Sequence, residues 1–225
     1  MINNNLLHVK NLLDSASEED RKNLQAIIGA GFGSSSELLC DHLNYLHGGF
    51  LGQLINRKSY KQIVTDVADR VKIDWPSLLN GRHWDDLGVN EIEDAVILKV
   101  FGDIYANLSE EDKKKIAEEL GKDANDPIFV YQVVSGGAMI LARLSGFQIY
   151  LIATTTLAAV TSGLGIVLPF AIYTALTASI GVILGPIGWA GLAISTLFSL
   201  CQANYSKLLP AVIFISYIRH RIAEE

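Results

Sequence analysis

The chain has 225 residues, half of them hydrophobic, with a mean hydropathy of +0.29 and a formal net charge of −6. That length suits one large domain or two small ones. The acidic balance argues against nucleic acid as a partner, because phosphates call for a basic surface.

The charge is unevenly spread. Residues 1–143 hold 15 of the 18 basic and 22 of the 24 acidic side chains, a net charge of −7, and the remainder carries +1. No charged residue occurs between Arg143 and Lys207. The chain therefore reads as an acidic amphipathic helical module over 1–143, followed by a hydrophobic, membrane-competent helical region over 144–225. Its start, "MINNNLLHVKNLLDSASEED", lacks a basic stretch followed by an apolar run, so it does not read as a secretory signal peptide. The two cysteines, Cys40 and Cys201, fit no metal spacing and suit a reducing compartment. The expected location is the cytoplasm or association with an inner membrane.

In chain order, the first part reads as short helices with clear start signals. "SEED" at Ser17–Asp20, and again at Ser109–Asp112, sets a hydroxyl cap three residues before a carboxylate. "GAGFGSSS" from Gly29 superficially resembles a dinucleotide fingerprint, but that motif needs a preceding strand. A helix precedes it here, so it is expected to be a helix-terminating loop. "CDHLNYLH" offers Cys40, Asp41, His42 and His47 as metal ligands, yet His42 and His47 would point about 140° apart on a helix. No metal site is expected, and "HGG" at His47–Gly49 reads as a loop.

Ser59 followed by Gln62 opens "YKQIVTDVADRVKI", whose Ile63, Val64, Val67, Ala68 and Val71 recur at helical spacing. "HWDD" at His83–Asp86 contains acid–base groups with no accompanying nucleophile motif, so a structural or solvent-facing role is expected. "VNEIEDAVILKVFGDIYANL" is a further predicted helix, and Asp126-Pro127 opens another. No alternation of strands and turns appears. The expected fold is an all-α multi-helix bundle with neither catalytic residues nor a cofactor.

Beyond Arg143 apolar residues appear on every helical face, which suits either a buried core or lipid. Gly163, Gly165 and Pro169 mark a break. A second apolar segment runs from Phe170 to Leu200, where Gly181, Gly185, Gly188 and Gly191 allow close helix packing. A third, "LLPAVIFISYIRHR", ends in Arg219 and Arg221. One centrally placed Lys, Arg or Asp adds about 2.5–3.5 kcal/mol to membrane insertion, and none is present between Arg143 and Lys207. Arg143, Lys207, Arg219 and Arg221 are then the basic flanks of a membrane hairpin.

Two stretches carry a family resemblance. "LNYLHGGFLGQLINRKSYKQIVTDVADRVKI" contains Gly48-Gly49, Tyr60 and Asp66-Val67, and a later stretch contains Gly185-Pro186-Ile187-Gly188, Tyr205 and Pro210-Ala211-Val212. In this order they resemble the YaaW-like bacterial proteins, over about a third of the chain. The resemblance implies no catalytic residues and a loose link to assembly chaperones of the ubiquinol–cytochrome c reductase type.

The expected function is non-enzymatic. A hydrophobic hairpin inserts into a lipid bilayer, as a permeabilising, pore-forming or remodelling device. The alternative is a soluble or peripheral, chaperone-like assembly factor whose apolar hairpin is a bundle core or a docking surface. Both leave room for a homo-oligomer or a protein partner.

Overall fold

The computed structural model describes residues 6–31, 33–55, 57–106, 146–163 and 205–225. Among them are eight α-helices and no strand. They are α1 (Leu7–Ser15), α2 (Glu18–Ile28), α3 (Ser36–Ile55), α4 (Tyr60–Val71), α5 (Trp75–Leu79), α6 (Val89–Ala106), α7 (Gly146–Gly163) and α8 (Tyr205–Glu224). A 3-10 turn at Trp84–Asp86 joins α5 to α6. The second "SEED", Asp126-Pro127, Arg143, Gly181, Gly185, Pro186, Gly188 and Gly191 lie outside the described residues.

Local chemistry sets the helix boundaries. Ser17 accepts from the Asp20 amide at 3.0 Å while the Asp20 carboxylate accepts from the Ser17 amide, also at 3.0 Å. Ser59 and Gln62 make the same reciprocal pair before α4. Each satisfies two amides that a helix start leaves orphaned. The loop from Gly29 does terminate a helix. Gly29 takes the left-handed conformation at φ +69°, and the Gly29 and Ala30 amides donate back to carbonyls of the last turn of α2.

The expected loop at His47–Gly49 is instead a kink within α3. Gly49 alone leaves helical geometry, at φ 63° and ψ −169°, a region essentially restricted to glycine. A Cβ there would meet no atom within 4 Å, so only the backbone resists substitution. Gly49→Ala is therefore expected to cost about 1–3 kcal/mol. The neighbouring Gly48 is exposed and helical. Gly48→Ala should stabilise slightly, by removing backbone freedom from the unfolded chain. Thermal unfolding of the two variants checks the contrast.

One apolar cluster draws on every described α-helix, the short α5 contributing Leu78. Residues on both sides of position 143 share it. The helix at its centre is α8, which packs against α1, α2, α3, α4, α6 and α7. Leu208 to Ile218 are all buried, on every face of that helix. A helix apolar all round needs an apolar surround, and here the other helices provide it. Pro210 sits buried near the start of α8, where its missing N–H and ring interrupt one helical bond.

The most extensive helix pair is α7 with α8. Tyr150, near the start of α7, stacks on Tyr217, near the end of α8, with ring centroids 5.5 Å apart. Leu157, Val160 and Thr161, further along α7, are all buried, so α7 runs from that contact back along α8, antiparallel to it. From Tyr150 to Gly163, and from Tyr217 back to Tyr205, the rise is about 18–20 Å in each case, at 1.5 Å per residue. The end of α7 and the start of α8 thus lie at one end of the bundle. No described helix is long and apolar enough to cross a membrane.

Candidate functional site

The two ends of α8 concentrate the polar chemistry of the described residues. Its last turns carry Arg219, His220 and Arg221 in succession, and each meets a carboxylate from another helix. Arg219 donates from Nε to Glu93 Oε2 at 2.9 Å and from Nη2 to Glu93 Oε1 at 3.2 Å. The Tyr60 hydroxyl donates to the same carboxylate at 2.8 Å. His220 Nε2 lies 2.9 Å from Asp94 Oδ1. Arg221 forks onto Asp20 at 3.0 and 2.6 Å. Asp20 thus caps α2 and binds α8 together.

This cluster is interior. The Glu93 side chain is 0% exposed and that of Arg219 is 23% exposed. Burial pushes the Glu93 carboxyl above its ordinary value, against the opposing pull of Arg219 and the Tyr60 hydroxyl. Burial likewise lifts Tyr60 well above the phenol range, with the Glu93 charge adding to it. A fully buried carboxylate held by three donors is a positioning device; no open face is left for a substrate.

At the other end, Tyr205 lies under the Arg70 guanidinium, whose carbon is 5.7 Å from the ring centroid. The Lys207 ammonium lies over the C-cap of α2, where a Cβ on Gly29 would stand 2.5 Å from Nζ. A cation there faces the negative end of the α2 dipole. Burial and the nearby Lys207 charge hold His42 below the usual imidazole value. Lys72, the exposed left-handed C-cap of α4, lies two residues beyond Arg70.

The other singled-out residues have structural partners. His47 Nε2 contacts Asp66 Oδ2 at 2.5 Å, tying α3 to α4 beside the Gly49 kink. The His42 ring packs against Tyr45 at 5.6 Å, so the two histidines of "CDHLNYLH" serve different contacts. Among the described residues no group of three His, Cys, Asp or Glu side chains is placed to hold a metal ion. His83 caps the turn at Trp84–Asp86, and the side chains of His83 and Asp85 are 77% and 71% exposed. Arg219 and Arg221, expected as hairpin flanks, are engaged inside the bundle by Glu93 and Asp20. The clamp itself has no local sequence signal, because its partners lie 126 and 201 residues apart.

Cys40 is buried, and burial together with the Asp41 charge pushes its thiol up to about 12. Thiolate is the reactive form. In a Cys201→Ser background, Cys40 should react with a thiol reagent only as fast as the protein unfolds. Rapid stoichiometric labelling of the native protein contradicts this placement.

Comparison with known proteins gives two distant relatives, both from Helicobacter pylori and both named UPF0174 protein. The protein from strain J99 is 24% identical over 194 residues, covering 85% of this chain and 73% of the relative. The protein from strain 26695 is 25% identical over 167 residues, covering 72% and 76%. The name they share states no activity. No family model matches the chain, and no solved structure matches it.

Proposed function

We propose that the protein is a non-enzymatic helical bundle that attaches to a lipid bilayer through residues 164–204. The observation that carries this reading is the treatment of the apolar block on either side of that segment. Both α7 and α8 are held in the bundle core, and the cations closing α8 are neutralised within it. The longest uncharged stretch outside the described residues is that between Gly163 and Tyr205. At about 20 residues per crossing, that length serves two passes. Both would start and finish at one end of the bundle, which keeps the charged module on one side.

This reading changes the expected hairpin. A span beginning at Leu144 would have to pull Ile149, Ile152, Ala153, Leu157 and Val160 out of the shared core. The Gly181, Gly185, Gly188 and Gly191 ridge remains the close-packing surface of the proposed attachment.

A second reading is a peripheral assembly factor that docks a protein partner, or a second copy of itself, through the same segment. The burial of α7 and α8 in the core supports it, as does the lack of any described helix long and apolar enough to cross a membrane. The YaaW-like resemblance and its chaperone link belong to this second reading.

Vesicle flotation separates the two. The full chain should float with phospholipid vesicles, and a variant with 164–204 replaced by a short Gly-Ser linker should stay folded and unbound. Full-length protein that is monodisperse without detergent and ignores vesicles overturns the attachment.

A further inference from the structure

The middle of α8, "AVIFISYI" from Ala211 to Ile218, contains no charge, no glycine and no proline. Four of its eight residues are β-branched and two are aromatic. Such side chains lose rotamer freedom against the preceding helical turn and fit the pleated surface of a strand. The stretch also lacks the i,i+4 charge pairs that support an isolated helix. Its local preference is for a strand, and the helix is imposed by the surroundings. Each of the eight residues is at most 3% exposed, inside a ring formed by α1, α2, α3, α4, α6 and α7.

In an extended chain, Val212, Phe214, Ser216 and Ile218 fall on one side and Ala211, Ile213, Ile215 and Tyr217 on the other. Both sides are then largely apolar. Stacking identical segments in register buries both, with Phe214 over Phe214 and Tyr217 over Tyr217. The flanks oppose that stacking. Pro210 has no N–H to give to a strand ladder, and Arg219 and Arg221 would bring like charges to a spacing of about 4.8 Å. Inside the bundle Arg219, His220 and Arg221 meet Glu93, Asp94 and Asp20. The residues that block stacking are therefore also those that fasten α8.

We infer that Ala211–Ile218 is a strand-forming segment held as helix by the bundle, and that its partner on release is the same segment of a second copy. The clamp at Glu93, Asp94 and Asp20 keeps the segment from pairing, and Pro210, Arg219 and Arg221 slow pairing once the clamp opens. This pairing involves described residues alone and does not depend on membrane attachment.

The test holds the full chain in urea at the midpoint of its unfolding and follows assembly by thioflavin fluorescence and pelleting. Fibrils with a repeat of about 4.8 Å should form, and their protease-resistant core, read by mass spectrometry, should contain Ala211–Ile218. Glu93→Ala loosens α8 with the segment intact, and should assemble faster than the parent at the same urea concentration. Adding Ile215→Pro to it loosens α8 further but spoils the strand, and should slow assembly by about tenfold or more whether or not the bundle folds. Arg219→Ala with Arg221→Ala, compared with the parent at an equal fraction unfolded, should assemble faster. A double variant with Ile215→Pro that assembles as fast as Glu93→Ala alone, or a fibril core without Ala211–Ile218, overturns the strand pairing. An unchanged rate in the arginine variant overturns the blocking role of the flanks. A chain that stays dispersed at its midpoint overturns the whole inference.

Discussion

Replacing Glu93 by Ala is expected to lower stability by about 3–5 kcal/mol, the cost of breaking a buried ion pair by removing one partner. Arg219 would keep its charge in a largely buried site with no carboxylate to receive it. The Tyr60 hydroxyl would lose its acceptor as well, and an unsatisfied buried donor carries its own desolvation penalty. The damage should be greatest where α8 meets α4 and α6, because that carboxylate joins all three. A compensated variant separates charge from packing. Tyr60→Phe, Glu93→Met and Arg219→Met together remove every polar group of the triad at similar volume. Well-packed apolar replacements of buried ion pairs are often neutral or stabilising, so most of the loss should return. Urea unfolding of the single and triple variants checks this. A Glu93→Ala protein as stable as the parent would mean that the cluster is open to water.

Phe214→Ala should cost about 3–5 kcal/mol, the range for deleting a large aromatic from a packed core. Phe214 is 0% exposed, stacks on Tyr217 at 5.4 Å and lies midway along α8. Around it every residue from Leu208 to Ile218 is buried, so collapse of neighbours into the cavity has little room. The same substitution on a lipid-facing helix would leave the stability of detergent-free protein nearly unchanged. The two placements of α8 therefore differ by most of the protein's expected margin, since domains hold only about 5–15 kcal/mol in all. Thermal and denaturant unfolding in buffer read the difference.

What the amino-acid pattern foretold follows from how local each signal is. Ser17, Ser59 and Gly29 act on amides and carbonyls within five residues of themselves, and they begin and end helices as expected. The stripe Ile63, Val64, Val67, Ala68 and Val71 is buried as its spacing requires. The Gly48-Gly49 pair misled because a glycine can serve a loop or a one-residue kink. Here only Gly49 leaves helical geometry, with helix on either side of it.

The apolar segment "LLPAVIFISYI" posed a different difficulty. Burial on every face is demanded equally by lipid and by a surrounding bundle, and no window of sequence distinguishes them. The deciding contacts join Arg219 to Glu93 and Arg221 to Asp20, across most of the chain. The carboxylates that receive them read locally as an amphipathic helix and a helix cap. Tyr60 and Asp66 were picked out by resemblance alone; their partners, Glu93 and His47, give each a physical role in holding α4. Lys207 was placed at a boundary by charge, and it stands at the bundle end beside the α2 C-cap.

Amide hydrogen exchange across Leu208 to Ile218, in buffer without detergent or lipid, tests most directly whether α8 is the core of a water-stable bundle. The account predicts exchange as slow as global unfolding allows, in the full chain and equally when 164–204 is replaced by a short linker. Exchange at the rate of an unfolded chain in buffer, with protection gained only when vesicles are added, would contradict it.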